Sequence, residues 1–117
     1  ELMKSLSESQ FDVPLMILGT ADHEKHSAMA EKLGVSLLFE AFADRRYTPE
    51  GRLQSRSIDG SVYHESNQIL DQAERIIREG SIISSDGSTL RIPVDALCVH
   101  GDNEESISTV KEFRKFL

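Results

Sequence analysis

Tryptophan is absent from this 117-residue chain, cysteine occurs once and proline three times. The lone Cys98 has no internal disulfide partner, so nothing in the composition demands an oxidising compartment. No apolar run approaches the roughly 20 residues of a membrane span, and the amino terminus lacks a signal-peptide layout. The expectation is a cytoplasmic protein with no membrane partner. Basic residues are also scarce: 13 Lys and Arg face 20 Asp and Glu, a net charge of −7. Phosphate backbones and anionic lipid surfaces need clustered cations, so nucleic acid and membrane surfaces are both disfavoured. The sequence contains no Walker A loop, dinucleotide fingerprint, zinc-ligand spacing or nucleophile elbow. What remains is an ordinary globular composition, 38% hydrophobic and 28% charged, read as a single unit over 1–117 with a modest core.

Apolar periodicity outlines the elements. The first ten residues read as the end of a helix, with Leu2, Met3 and Leu6 on one stripe. Phe11 to Leu18 is almost wholly apolar and predicts a strand buried on both faces, broken by Gly19 to Asp22. His23 to Leu33 predicts a helix stopped by Gly34, and Val35 to Phe39 a second buried strand. Residues 40–60 are polar, hold four arginines and two turn signals, and predict a long loop of the kind that often carries function. In Glu65 to Glu79, Ile69, Leu70, Ala73, Ile76 and Ile77 share one helical face. Two β-prone runs around Asp86-Gly87 predict a hairpin, Asp95 to His100 a third buried strand, and Asn103 to Phe116 a closing helix with Ile107, Val110 and Phe113 inward. Buried strands alternating with amphipathic helices predict an α/β protein with about three parallel strands, covering helices and one β-hairpin.

In parallel sheets, chemistry gathers where strands hand over at their carboxyl ends. Three such places exist here: Gly19 to Asp22, Glu40 to Ser57, and His100 to Asn103. The last delivers His100-Gly101-Asp102 from an apolar strand, a pairing suited to acid–base work or to holding a divalent metal. Asp102 with Glu105 equally fits a capping box at a helix start, and one residue can serve both ends. The middle segment crowds Glu40, Asp44, Arg45, Arg46, Tyr47, Arg52 and Arg56 together. An arginine there can clamp a substrate carboxylate while Asp44 orients it or acts as a base; a solvated loop with surface ion pairs is the plainer alternative. His23 and His26 lack a second ligand pair, His64 lacks a partner, and Cys98 reads as a buried small hydrophobe.

Two stretches carry a family resemblance: Glu40-Ala41-Phe42-Ala43-Asp44-Arg45-Arg46-Tyr47, followed by Arg56-Ser57, and Leu97-Cys98-Val99-His100-Gly101-Asp102. In this order the chain resembles the carboxyl-terminal half of the LamB/YcsF family, the A subunit of bacterial ATP-dependent 5-oxoprolinase. The likeness extends through Val13-Pro14-Leu15, the segment ending at Gly80, and Asp86-Gly87-Ser88. It implies a partial (β/α) barrel of the seven-stranded type found in certain glycoside hydrolases and polysaccharide deacetylases. It also implies opening of the lactam of 5-oxo-L-proline to L-glutamate, with ATP used by a complex that includes B and C subunits. By matched position, His100, Asp102 and Asp44 become the catalytic candidates, and Arg45, Tyr47, Arg56 and Ser57 the substrate-binding ones. Any divalent metal falls to His100 and Asp102.

The family's amino-terminal motifs, among them Cys-Gly-x-His and Lys-Pro-His-Gly, are absent from this sequence. Ser55-Arg56-Ser57 stands where the family often reads Pro-Arg-Ser. Three strands and a hairpin cannot close a barrel, and open sheet edges need cover. The expectation is therefore a larger parent polypeptide, with the amino-terminal half supplied by that parent, or an assembly with another copy. Two other functions remain open on the sequence alone: an ATP-independent hydrolase or deacetylase of the related barrel group, and a non-catalytic assembly module.

Overall fold

Where the apolar runs lie decides which backbone pairs with which. The computed structural model describes residues 2–8, 12–100, 108, 110–112 and 114–115. Its elements are α1 (Leu2–Glu8), β1 (Leu15–Leu18), α2 (His23–Leu33), β2 (Leu37–Phe42), α3 (Ser66–Glu79), β3 (Ser81–Ile83), β4 (Thr89–Arg91) and β5 (Ala96–Cys98). The strands β1, β2 and β5 form a parallel sheet in the order β1-β2-β5, with Leu15 opposite Leu37 and Phe42 opposite Cys98. A separate antiparallel hairpin joins β3 and β4. The expected α/β order is present. Residues 108 and 110–112 are helical, whereas Ile107 and Phe113 of the expected closing helix lie outside the described residues. Val110, expected inward, is exposed beside a cleft that Ile76, Ile77 and Ala96 help to line. No helix among the described residues is long and apolar enough to cross a membrane.

Two strand boundaries differ from expectation for local reasons. The Val35 amide bonds back to the Ala30 carbonyl at 2.9 Å, so Val35 closes the end of α2 instead of starting β2. At its far end β2 extends to Phe42 because Glu40, Ala41 and Phe42 find partners on β5. The polar start of the central segment is thus strand, recruited by long-range pairing that local composition does not encode. Likewise β1 begins only at Leu15, after Pro14, which has no amide hydrogen to donate.

The core lies on one side of the sheet. Ala41 packs with Tyr47, Ile76, Ile82 and Ile92, and Ala43 with Ile69 and Ala73 of α3. Side chains alternate across a strand, so the residues between these point to the other side. That second face, expected to be buried, is not: the directly paired Met16 and Leu38 are 48% and 37% exposed. An apolar run reports that a strand prefers cover, and the described residues supply a covering layer on one face only.

Glycines act at specific points. Gly80 takes a left-handed φ of 65° to end α3 and turn the chain into β3. Gly19 follows β1 so closely packed that an added Cβ would lie 2.6 Å from the Pro93 carbonyl oxygen. In the hairpin turn, Asp86 Oδ1 accepts hydrogen bonds from Ser84 Oγ at 2.5 Å, Ser88 Oγ at 2.6 Å and the Ser88 amide at 3.0 Å. These bonds favour the carboxylate and draw the Asp86 pKa down to about 2.

Two outcomes follow. Gly19→Ala should destabilise the chain by about 1–3 kcal/mol, because a backbone oxygen must move to admit the methyl group; an unchanged urea midpoint would refute this. For Asp86, a folded-state pKa below the ordinary 3.8 means its stabilising effect is complete above pH 4 and disappears as pH falls towards 2. Amide exchange in the turn should accelerate relative to α3 across that window, and Asp86→Asn should remove the pH dependence.

Candidate active site

The carboxyl ends of the parallel strands meet at one rim. Gly19 donates from its amide to the Glu40 carbonyl at 2.8 Å, and Ala43 to the Cys98 carbonyl at 3.0 Å, which carries the ladder past the last formal strand pairs. Two residues beyond the paired Phe42 and Cys98 come Asp44 and His100, so alternation places both on the same side of the rim. They touch. His100 Nδ1 lies 2.7 Å from Asp44 Oδ2, and the His100 amide donates to the same oxygen at 3.2 Å. The imidazole also stacks on Phe42, with centroids 5.6 Å apart and planes 10° from parallel.

This geometry sets the chemistry of the ring. A carboxylate only accepts, so Nδ1 carries the hydrogen and Nε2 of the neutral imidazole is left with its lone pair. The Asp44 side chain is 5% exposed while that of His100 is 41% exposed. The carboxylate is therefore inside, and the imidazole is partly open to solvent. Asp44 Oδ1 is buried and makes no hydrogen bond among the described residues.

The other predicted site residues separate into distinct places. Arg45 is buried: its Nη2 donates to the Gln54 carbonyl at 3.0 Å, which ties the guanidinium to the loop. Tyr47 is fully buried in the core, and its hydroxyl accepts from the Phe42 amide at 3.1 Å. Burial raises the Tyr47 pKa, partly offset by that bond. Tyr47 thus presents no surface to a substrate and acts as a strut under Phe42. Arg56 and Ser57 sit on an exposed turn, where Ser57 Oγ lies 2.8 Å from Ser55 Oγ. No hydrogen bond joins Arg56 or Ser57 to Asp44 or His100 among the described residues. Asp102, and Glu105 of the expected capping box, lie outside the described residues. Among the described residues no three His, Cys, Asp or Glu side chains group to hold a metal ion.

The long loop is more ordered than its composition indicates. Isolated antiparallel bridges join Arg45 to Val62 and Tyr47 to Leu53. One participant at the rim is not marked out by the sequence. Gln72 on α3 is buried and donates from Nε2 to the Phe42, Ala43 and Arg45 carbonyls at 2.8, 3.2 and 2.8 Å. Its one signal is a polar residue between Ile69 and Ile76 on an apolar helical face. Cys98 is half-buried on the rim side, close enough to Glu40 to feel its charge. Burial, followed by the charge of Glu40, pushes its thiol pKa up. A raised pKa favours the protonated, poorly nucleophilic thiol, while the side chain, expected to be buried, is only partly so.

Asp44 and His100 thus meet at the carboxyl rim of a parallel sheet, the place where α/β proteins as a class hold their ligands. Comparison with known proteins narrows the class: the chain belongs to the LamB/YcsF family, whose model matches residues 2–117. It is similar to 5-oxoprolinase A subunit 2 of Pseudomonas putida, 39% identical over 116 residues, covering 99% of this chain and 45% of that protein. It is also similar to the 5-oxoprolinase A subunit of Chromohalobacter salexigens, 47% identical over 103 residues, covering 88% of this chain and 41% of that protein. The crystal structure of the lactam utilization protein from Thermus thermophilus superposes with a TM-score of 0.80 at 26% identity, over 98% of this chain and 45% of that one. The chain spans less than half the length of the relatives it matches.

The raised thiol pKa has a measurable outcome. Alkylation of Cys98 by iodoacetamide at pH 8 should be several-fold slower than that of a free thiol, whose pKa is roughly 8.5. Its rate should climb with pH to an inflection above the ordinary value. Glu40→Gln should lower that inflection only in part, because burial is the larger cause; an inflection already below 8 in the parent chain would contradict the description.

Proposed function

We propose that this chain supplies part of the active site of a hydrolase of the 5-oxoprolinase A-subunit type, which opens the lactam of 5-oxo-L-proline to L-glutamate within a cytoplasmic assembly that hydrolyses ATP. The observation that carries this reading is the Asp44–His100 pair, with Nδ1 held at 2.7 Å on a buried carboxylate and the imidazole partly exposed at the rim. The relatives' names, as A subunits of 5-oxoprolinase and as a lactam utilization protein, support the substrate class.

Ring opening adds water across an amide bond, with no change in oxidation state. His100 Nε2 takes a proton from the attacking water as oxygen bonds to the lactam carbonyl carbon. The carbon–nitrogen bond then breaks as His100 passes that proton to the ring nitrogen, which leaves as the amino group of glutamate. Asp44 keeps the imidazole in the required tautomer and balances the positive charge that develops on it. The exposed guanidinium of Arg56, next to Ser57, offers a bidentate site for the substrate carboxylate. Arg45 contributes its charge from beneath the loop. Asp102 joins the acid–base set by family position. ATP supplies the free energy of the coupled reaction through the B and C subunits; the sequence carries no Walker A motif, and no step here is routed through the nucleotide.

On the same reading, the open sheet is part of a seven-stranded barrel. The bare Met16–Leu38 face becomes barrel interior, closed by strands from a longer polypeptide or a second copy. The deciding experiment is glutamate release from 5-oxoproline by the polypeptide carrying this chain, with ATP and the partner subunits. His100→Ala should lower kcat by about 10²-fold or more, and Asp44→Asn by a similar order. Full turnover in both variants would remove the pair from the mechanism, and turnover without nucleotide or partners would favour an independent hydrolase instead.

A further inference from the structure

The backbone that presents Asp44 is held to an unusual degree by one side chain of another element. Four consecutive carbonyls, from Phe42 to Arg45, are each engaged. The Asp44 carbonyl accepts from the Tyr63 amide at 2.8 Å, and the other three accept from Gln72 Nε2. A primary amide nitrogen has two hydrogens, so one is shared between neighbouring carbonyls. The 3.2 Å bond to Ala43 beside the two at 2.8 Å fits that sharing. The arrangement also fixes the orientation of the amide, because only its nitrogen end can face three acceptors.

The consequence reaches the rim. Ala43 and Arg45 flank Asp44 directly, so gripping their carbonyls sets the path of the backbone at Asp44 and hence where Oδ2 sits. His100 meets that one oxygen twice, through its amide and through Nδ1. We infer that Gln72 is a positioning residue for the acid–base pair: by tying the Phe42, Ala43 and Arg45 carbonyls to α3, it holds Asp44 where its carboxylate selects the Nδ1–H tautomer of His100. The inference rests on the reading of Asp44–His100 as the reacting pair, and its effect runs entirely through backbone. Gln72 need not touch substrate.

A buried glutamine can serve stability alone, so the test reads the ring itself. In the polypeptide carrying this chain, the ¹⁵N shifts of His100 at a pH where the ring is neutral report which nitrogen holds the hydrogen. The parent should show predominantly Nδ1–H, whereas exposed His64 supplies the unconstrained reference. Gln72→Met preserves length but donates nothing; it should return His100 towards the His64 tautomer mixture and lower kcat about 10- to 100-fold with KM changed less. Gln72→Asn, which keeps the amide one methylene short, should fall between. A folded Gln72→Met chain whose His100 remains fixed as Nδ1–H overturns the inference, whatever its activity. If that variant does not fold, the parent still decides. The Gln72 side-chain NH₂ hydrogens should exchange with solvent far more slowly than those of exposed Gln68, and equal rates overturn the inference. Should His100→Ala leave turnover intact, the proposed reaction fails, while the tautomer measurement continues to judge Gln72 separately.

Discussion

Asp44 is a buried carboxylate whose principal partner is the His100 ring, and the rim of the sheet is organised around that contact. A carboxylate inside a protein needs a donor or a countercharge, and the partner here is a half-exposed imidazole 56 positions further along the chain. To bring them together, β2 and β5 must run parallel in the register that pairs Phe42 with Cys98. A slip of one residue would turn Asp44 and His100 to opposite sides of the sheet. The register is secured at the other end of the strands as well: the Asp95 side chain accepts from the Phe39 amide at 2.8 Å, and the Asp95 amide donates to the Phe39 carbonyl at 2.7 Å.

Around that contact the structure divides labour between residues that hold and residues that reach. Tyr47, Gln72 and the Tyr63 amide hold the Phe42–Arg45 backbone from the core side. Phe42 supports the imidazole by stacking, while Arg56 and Ser57 stand on the solvent side. This explains why a cluster of charged and aromatic residues that looks uniform in sequence behaves so differently in space. Arg45 and Arg56 are the same residue type eleven positions apart, yet one is locked beneath the loop and the other is exposed where an anion can reach it.

The bare face of the sheet has a related cause. Leu38 and Met16 are as apolar as their neighbours that point into the core, and they stay exposed only because no described element lies over them. Exposed apolar surface on a parallel sheet is a demand for a further layer.

Composition and periodicity determined the element order, the α/β class, the parallel sheet and the hairpin, because apolar spacing and glycine stops act locally. The family motifs singled out Asp44 and His100 individually. Their contact was not legible, since it depends on strand register, which is a property of two distant segments at once. Nor were the fates of Tyr47 and Arg45: the letters specify a phenol and a guanidinium, but whether each faces core or solvent depends on how residues 42–62 fold back upon themselves. Gln72 shows the same limit most clearly. In the sequence it interrupts an apolar stripe, and only the packing of α3 beneath the rim turns that interruption into the donor for three carbonyls. Local physics thus chose the parts, and long-range packing decided which of them meet.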